Sequence, residues 1–447
     1  MANKKQQKKK KKSSIRHTRA IQRDRSKRQV AAPPDEKISQ RLGELLLPAI
    51  EAQEAFYRQL GLRHRVLTLS VMVAIVVSLI WRQLGGGGSE IARLLRTEGL
   101  LWASIMVVSQ QAISERLRTF PAMLFLRVLL HILPVLHQRW QARQRPLPPV
   151  LAWACQHYTA VLAVDGSTLD ALLRKVGLLR EAETNPLAGR MMALLDLCSW
   201  LPRHLWYEED AQAHDQRFWP QILAVLQAGA LLIFDLGYTN FIVFAQLTAA
   251  QITFITRAKR NLSYQVECYL QRTANVHDLL VWIGSGDSRQ LVRLVKVLYR
   301  GKWYRYLTNE LDPQRLPVAY VVALYGQRWR IEDAYHIVKR LLGLAYFWVG
   351  SQYGVECQVW ATWILYVVLV DLTDAVAEAL QRPFVNLSLE MVYRSLYYFG
   401  QAYRRGEATD PVAYITANAA WLGVIKRKRG HGCSLLQLLN LTNPSGP

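Results

Sequence analysis

The sequence predicts an α/β fold in which a central sheet is flanked by helical regions on both sides along the chain. Apolar residues recur at helical spacing between residues 38 and 145, short apolar runs alternate with helical segments between 160 and 256, and residues 351–447 are again mostly helical. The length of 447 residues allows about three domains. An apolar fraction of 51% excludes a largely disordered basic protein.

The first helical region is predicted to contain four helices before a linker. They cover 38–60, 67–84, 89–98 and 109–120, and Ser89 and Ser109 are expected to be N-caps. Gly85–Gly88 breaks the second helix from the third, and no Gly-Lys-Ser/Thr follows it, so it is a turn rather than a phosphate loop. Three prolines between Arg145 and Val150 predict the linker.

The middle of the chain is predicted to form the sheet. Strands are expected at 160–164, 191–197, 202–207, 230–234 and 252–256, with helices at 218–228 and 241–249. Between 264 and 310 alternating apolar residues and two glycine turns predict an antiparallel β insertion, and a helix is expected from 317 to 344. Asp165 and Asp235 each follow an apolar run, where a strand is expected to meet its loop.

The positive charge is unevenly distributed. Lys and Arg number 56 against 33 Asp and Glu, for a net charge of +23, and residues 1–28 hold thirteen Lys and Arg against the single acid Asp24. This tail lacks apolar periodicity, so it is expected to be disordered and either to contact phosphates without reading sequence or to act as a solubilising arm. The folded remainder is also basic, which is typical of a nucleic-acid-binding protein.

Neither disulfides nor a membrane span is expected. The five cysteines are scattered and form no CxxC pair, so reduced and mostly buried thiols are predicted. The longest apolar stretch, 66–81, is shorter than the roughly 20 residues that a spanning helix needs. No signal-peptide pattern follows the basic tail, so a cytoplasmic location is expected.

A row of polar side chains lies in the segment 324–342. Tyr325, Arg328, Glu332 and Lys339 stand at offsets that place them within about 60° of one another on a straight helix. Taken alone, the row could be a solvated helix face with an Arg/Glu pair. Asp165 and Asp235 favour another interpretation, because strand ends are where α/β sheets place their sites. Three convergent carboxylates would repel one another unless hard cations neutralised them, which points to Mg²⁺ and to phosphodiester chemistry.

The spacing Tyr325-x2-Arg328-x3-Glu332-x6-Lys339 resembles the YREK signature of DDE transposases of the insertion-sequence family called IS-four. Asp165-Gly166-Ser167, Asp235-Leu236-Gly237-Tyr238 and Phe254-Ile255-Thr256-Arg257 follow the order of that family, and the resemblance covers about residues 60–430.

The resemblance implies an RNase H-like catalytic core with a β-rich insertion. Asp165, Asp235 and Glu332 would be catalytic and would hold two Mg²⁺ ions, for which Mn²⁺ could substitute. Tyr325, Arg328 and Lys339 would contact phosphates at the transposon end, near Trp329. Trp303 and Tyr304 could stack on a flipped base or simply pack in a strand. Arg257 could grip DNA or face solvent, as could a basic cluster at 426–429.

The expected organisation is a basic tail (1–37), a helical DNA-end-binding region (38–150), a catalytic domain (151–350) with its insertion at about 258–316, and a helical C-terminal region (351–447). The expected function is cut-and-paste transposition on terminal inverted repeats and target DNA, by a homodimer in the DNA complex, associated with the nucleoid and not with a membrane. Alternatives are a catalytically silent DNA-end-binding protein and a metal-dependent DNA nuclease.

Overall fold

The computed structural model describes residues 35–82, 88–169, 188–344, 347 and 351–426. Most of the basic tail and residues 427–429 of the C-terminal basic cluster lie outside these ranges. A helix begins at Asp35, inside the segment expected to be tail.

Within the described residues, seven helices precede the first strand. They are α1 (Asp35–Glu51), α2 (Glu54–Gln59), α3 (Leu69–Trp81), α4 (Gly88–Thr97), α5 (Gln110–Thr119), α6 (Met123–Ala142) and α7 (Pro149–His157). Ser109 caps α5 as predicted, because its hydroxyl accepts a hydrogen bond from the Ala112 backbone N–H at 3.1 Å. Helix α4 begins at Gly88, one residue before the predicted N-cap Ser89. The sequence does not predict α6, which contains Pro134, or α7, which begins inside the proline cluster.

A single sheet follows. Its strands are β1 (Val161–Thr168), β2 (Arg190–Asp196), β3 (Pro202–Glu208), β4 (Leu231–Phe234), β5 (Thr253–Arg257), β6 (Gln265–Arg272), β7 (Val276–Ile283), β8 (Gln290–Tyr299) and β9 (Lys302–Thr308). Among the described residues the order is β3-β2-β1-β4-β5-β9-β8-β7-β6. β1, β2 and β3 are antiparallel, whereas β1, β4 and β5 are parallel. This 3-2-1-4-5 arrangement is RNase H-like, so the predicted fold class is confirmed.

The antiparallel pairing predicted between 264 and 310 is present in β6 to β9. These strands do not form a separate sheet, because β9 pairs antiparallel with β5 at Arg257–Tyr306 and Ile255–Thr308. The added strands therefore extend the central sheet from its β5 edge.

The sheet has two different faces. The α9 face packs against α8 (Trp219–Val225) and α9 (Phe241–Ala249). The other face, called the α12 face, belongs to a second hydrophobic core that it shares with the remaining helices. The helices that follow the sheet are α10 (Val318–Gly326), α11 (Trp329–His336), α12 (Gln352–Ala379), α13 (Leu389–Arg404) and α14 (Pro411–Ala417). On β1 the two faces alternate, with Leu162 and Val164 on the α9 face and Val161 and Ala163 on the α12 face.

Helix α12 is the central helix of the second core. It has 28 residues, and by length and composition it could cross a membrane, but 78% of its apolar window is buried inside the protein. It packs against α6, α3 and α5, so its apolar surface is covered by other helices. This burial is the pattern of a core helix.

A buried ion-pair cluster joins the proline-rich segment to α12. Asp374, only 2% exposed, accepts a hydrogen bond from Arg143 at 3.0 Å and pairs with Arg145, which is 3% exposed. Asp371 also pairs with Arg143, at 2.8 Å. The chain leaving α6 is therefore anchored to α12 by charge as well as by packing.

Replacing Asp374 with Ala should lower the free energy of unfolding by about 3–5 kcal/mol, because it leaves the buried Arg145 guanidinium without its carboxylate partner. Urea unfolding followed by tryptophan fluorescence measures the change. Glu407→Ala is the matched control, since its pair with Arg405 is solvent-exposed, and it should leave the unfolding midpoint unchanged. Equal effects of the two substitutions would contradict the anchoring role.

Candidate active site

Asp165 and Asp235 stand side by side on neighbouring parallel strands. Val164 pairs with Phe234 in the register of β1 and β4, so the residue after each lies at the same level, about 4.8 Å from the other strand. Both follow residues that face α9, which places both carboxylates on the α12 face.

The sequence suggested that β1 ends at Asp165, but the strand continues beyond it. Pairing with β4 stops at Val164, but pairing with β2 continues through Asp165–Ala193 to Thr168–Arg190. Asp235 does follow the last residue of β4 and precedes the short 3₁₀ turn Leu236–Tyr238. The apolar run in the sequence marks the end of parallel pairing on β1, not the end of the strand.

The segment that carries Glu332 is not one straight helix. It divides into α10 and α11, with Gln327 and Arg328 between them bonded in i→i+3 steps to Leu324 and Tyr325. A π-helical turn, Ile337–Leu341, then follows α11. The prediction of one continuous helix is therefore wrong. The predicted polar side chains are nevertheless tied by hydrogen bonds to the strands or to one another, namely Tyr325, Arg328, Glu332 and Lys339.

Arg328 bridges two of the three candidate acids. Its Nη1 donates to Asp165 Oδ2 at 2.8 Å and its Nη2 donates to Glu332 Oε1 at 2.9 Å. The guanidinium side chain is only 7% exposed, whereas that of Glu332 is 41% exposed. A charge-assisted pair of hydrogen bonds thus brings a strand carboxylate and a helix carboxylate to one cation.

Tyr325 completes the set from the end of α10. Its hydroxyl donates to Asp235 Oδ1 at 3.1 Å, and its ring lies 5.2 Å from that of Tyr306 on β9. Burial raises the pKa of Tyr325, and the neighbouring Asp235 carboxylate raises it further, so the phenol remains a donor. Each of the three acids therefore has a donor from the α10–α11 segment.

Asp165 is held in an environment that disfavours its charge. Burial raises its pKa to about 6, and the Arg328 guanidinium and the Gly166 backbone N–H oppose that rise. The N–H of Gly166 donates to Asp165 Oδ1 at 2.8 Å. A carboxyl with a pKa this high is a common feature of functional sites.

Carboxylate oxygens are the donors that hard divalent cations prefer, so Asp165, Asp235 and Glu332 fit such ions chemically. As placed, however, the described residues contain no group of three or more His, Cys, Asp or Glu side chains arranged to hold a metal. The Arg328 guanidinium supplies positive charge between two of the acids instead. These residues would hold cations only after Arg328 had moved away.

Tyr335 and Lys339 bind the backbone of β1. The buried Tyr335 hydroxyl donates to the Asp165 carbonyl at 2.6 Å, and Lys339 Nζ donates to the Thr168 carbonyl. Sequence reasoning missed Tyr335. Its position three residues after Glu332, as a polar group on the apolar side of the helix, is the signal that could have found it.

Comparison with known proteins identifies this region. The family described as Transposase DDE domain matches residues 188–368, a range that contains Asp235, Glu332 and Tyr325 but begins after Asp165. This part of the chain is therefore similar to a transposase DDE domain.

Two further proteins show similarity. A curated protein of Sinorhizobium fredii named "Putative transposase y4zB" is 28% identical over 173 residues, which are 36% of this chain and 47% of that protein. The chain thus spans about half the length of that relative. A chain from the cryo-EM structure of a piggyBac transposase synaptic complex with hairpin DNA has a TM-score of 0.34 and 10% identity, over 87% of this chain and 84% of that one.

Of the other predicted residues, Arg257 and Trp329 lie beside the acids, and Trp303 does not. Arg257 is exposed on β5. Because Ile233 pairs with Ile255, Arg257 and Asp235 each lie two residues beyond that pair and stand at the same level of the sheet. Trp329 is 59% exposed and stacks on the Arg328 guanidinium at 5.2 Å. Trp303 pairs with Leu298 on the α9 face, where its ring lies 4.7 Å from that of His277, so the structure does not bring it to the acids.

The neighbour of Trp303 lies on the α12 face. Tyr304 pairs with Val297, and the Arg257 guanidinium lies 5.5 Å from its ring. Of the two aromatic residues considered for base stacking, Tyr304 is the one on the same face of the DDE domain as the acids.

A fourth carboxylate, that of Asp215, was not predicted from the sequence and lies next to Gly166, close enough to Asp165 to raise its pKa. Asp215 accepts from Arg190 Nε at 2.8 Å, and Arg190 also donates to Thr168 Oγ1 at 3.1 Å. A Cβ atom at position 166 would overlap the Asp215 carboxylate and the Arg190 guanidinium. Gly166 is therefore required for this pair to approach the strand that carries Asp165.

Asp165→Asn should stabilise the metal-free protein at pH 7.5. Because burial raises the pKa of Asp165 from 3.8 to about 6, the folded state binds an extra proton between those values, and the stability this confers is lost as pH rises through 6. The shift corresponds to at most about 3 kcal/mol. Thermal unfolding in EDTA at several pH values measures the gain, which should shrink toward pH 5. The exposed Asp287→Asn is the control, and a gain that does not vary with pH would contradict this assignment.

Proposed function

We propose that this chain is a metal-dependent transposase that cuts DNA at the ends of an insertion sequence and joins those ends to target DNA. The observation that carries the proposal is the meeting of Asp165, Arg328 and Glu332 beside Asp235. The similarity of residues 188–368 to the transposase DDE domain supports it. The net charge of +23 supports a polyanionic substrate.

Asp165, Asp235 and Glu332 would be the catalytic residues and the ligands of two Mg²⁺ ions, with Mn²⁺ as a substitute. Divalent cations bound there would activate a water or a 3′-hydroxyl and stabilise the leaving oxygen of an in-line displacement. Arg328 would exchange its two carboxylate partners for the oxygens of a DNA phosphate, which a guanidinium also binds in a bidentate manner.

The DNA end would be gripped by residues around the acids. Tyr325, Arg328 and Lys339 occupy the positions of the IS-four signature, and Arg257 and Trp329 are exposed next to them. Tyr304 is better placed than Trp303 to stack on a base near the acids, and Trp303 would contact DNA only from the α9 face. A homodimer in the DNA complex, recognition of terminal inverted repeats, and a cytoplasmic, nucleoid-associated location belong to the same proposal.

A structure-selective nuclease would share these acids but would not need paired ends, and a silent end-binding protein would not need the acids at all. The placement of the acids around Arg328 favours an enzyme over a silent binder. Release of an element flanked by inverted repeats, with joining to a second DNA, distinguishes transposition from simple cleavage.

Glu332→Gln should abolish Mg²⁺-dependent cleavage of donor DNA while end binding persists, because the amide keeps the size of the side chain but loses a charged oxygen donor. A gel assay of cleavage beside a mobility-shift assay of binding separates the two effects. Glu390→Gln is the matched control, since Glu390 forms a comparable i,i+4 pair with Arg394 on α13. Full cleavage by Glu332→Gln would refute the site.

Tyr335→Phe should raise the metal concentration needed for half-maximal cleavage by about 10–100-fold, because the lost hydroxyl no longer fixes the backbone of Asp165. A metal titration of cleavage measures it. Tyr366→Phe is the control, since this fully buried hydroxyl donates to the Trp200 carbonyl at 3.0 Å. Equal metal requirements in the two variants would leave Tyr335 with a purely structural role.

A further inference from the structure

Two cysteines that are far apart in the sequence meet beside the DDE domain. The thiols of Cys155 and Cys198 lie 2.9 Å apart, Sγ to Sγ. Cys155 is exposed on the last turn of α7, whereas Cys198 is only 5% exposed in the turn between β2 and β3. Both thiols are free, as predicted, but Cys155 is exposed rather than buried.

We propose that Cys155 and Cys198 are an oxidisable dithiol that hydrogen peroxide converts into an intramolecular disulfide. The closed bond requires an S–S distance of about 2.05 Å, so the sulfurs need to approach by less than about 1 Å. The final turn of a short helix can supply a movement of that size.

The turn that carries Cys198 is held rigidly. Asp196, which is buried, accepts hydrogen bonds from the backbone N–H groups of Cys198 at 2.9 Å and Ser199 at 3.1 Å. Arg203 donates to the second carboxylate oxygen of Asp196 at 3.0 Å. The thiol of Cys198 is therefore fixed in place, and the adjustment falls on Cys155.

The two thiols differ in how readily they ionise, and Cys155, which would react first with peroxide, is the more easily ionised. The hydrogen bond from Cys198 lowers the pKa of Cys155, with help from the positive charge of Arg145, while the same hydrogen bond and burial raise the pKa of Cys198. Cys155 is thus the more readily ionised thiol as well as the accessible one, which are the properties of a peroxide-reactive cysteine.

The reaction balances in two steps. The Cys155 thiolate attacks one oxygen of hydrogen peroxide, the O–O bond breaks, and the departing hydroxide takes up the proton that the Cys155 thiol released, which gives a sulfenic acid and one water. The Cys198 sulfur then attacks the Cys155 sulfur, the S–O bond breaks, and the departing hydroxide takes the Cys198 proton as water. Two thiols are oxidised by two electrons, and one peroxide is reduced to two waters.

The other described cysteines lack this arrangement. Cys268 is exposed on β6, and Cys357 is buried on α12 with Phe120 O at 3.9 Å as its partner. Cys433 lies outside the described residues. In the described ranges, the Cys155–Cys198 contact is the one between two thiols, so oxidation to a disulfide within these ranges should be confined to this pair.

The crosslink would lie next to a support of the acid-bearing helix. The carbonyl of Leu197, one residue before Cys198, accepts from Arg330 Nη1 at 3.1 Å, and Arg330 stands on α11 between Arg328 and Glu332. The disulfide would therefore tie α7 to the turn on which α11 rests.

Mass spectrometry of the full-length protein, treated with stoichiometric hydrogen peroxide and then alkylated under denaturing conditions, tests the proposal. The expected result is a linked Cys155–Cys198 peptide pair that is two hydrogens lighter than the two separate peptides, with neither cysteine alkylated. Dithiothreitol should separate the two peptides and make both thiols available for alkylation again. Cys198→Ser should instead leave a Cys155 sulfenic acid that a 1,3-diketone traps, and Cys155→Ser should yield no sulfenic acid at Cys198.

Cys268→Ser is the control and should leave the linked pair unchanged. Complete alkylation of both Cys155 and Cys198 after peroxide treatment would overturn the proposal. A disulfide that joins either of them to a different cysteine would also overturn it. Because the readout is the state of the thiols, the result does not depend on transposase activity.

Discussion

The bridge from Arg328 to Asp165 and Glu332 is the interaction on which the candidate site depends. Carboxylates gathered on a partly buried sheet repel one another and lose hydration, and the raised pKa of Asp165 reports that cost. A guanidinium with two carboxylate partners offsets the repulsion without any bound ion. The strand and the helix that carry the acids can therefore stay together before metal or DNA is present.

The same bridge limits what the resting arrangement can do. A metal ion and Arg328 cannot occupy the space between the same two carboxylates, so the resting site is complementary to a guanidinium. Trp329 stacks on Arg328, and Tyr325 donates to Asp235. Side chains proposed to contact DNA thus lie close to Arg328, the residue that would have to move before a metal could bind. If Arg328 binds a DNA phosphate as proposed, that binding would be linked to exposure of the acids through one side chain.

Much of this could be predicted from the sequence, because local patterns carried it. The alternation of short apolar runs and helices gave the α/β class, and helix α9 falls where it was expected, at Phe241–Ala249. The spacing of Tyr325, Arg328 and Glu332 indicated residues that act together, and the structure brings them to the two aspartates. Features set by tertiary contacts could not be predicted from the sequence. They are the break at Gln327–Arg328, the continued pairing of β1 with β2 beyond Asp165, and the contact between Cys155 and Cys198. Helix α6 was not among the predicted helices; it contains Pro134 and is covered by α12, against which it packs.

Helix α11 does more than present Glu332. Beyond Val164 strand β1 has lost β4 as a neighbour, and the hydroxyl of Tyr335 binds the Asp165 carbonyl while Lys339, in the π-helical turn, binds that of Thr168. One helical segment thus carries one carboxylate, supplies the counter-ion of two and fixes the backbone of a second. Any displacement of this segment would disturb all of these contacts at the same time. The geometry of Asp165 and Glu332 is consequently cooperative: both acids are tied to the same helical segment, so neither can be repositioned independently of the other.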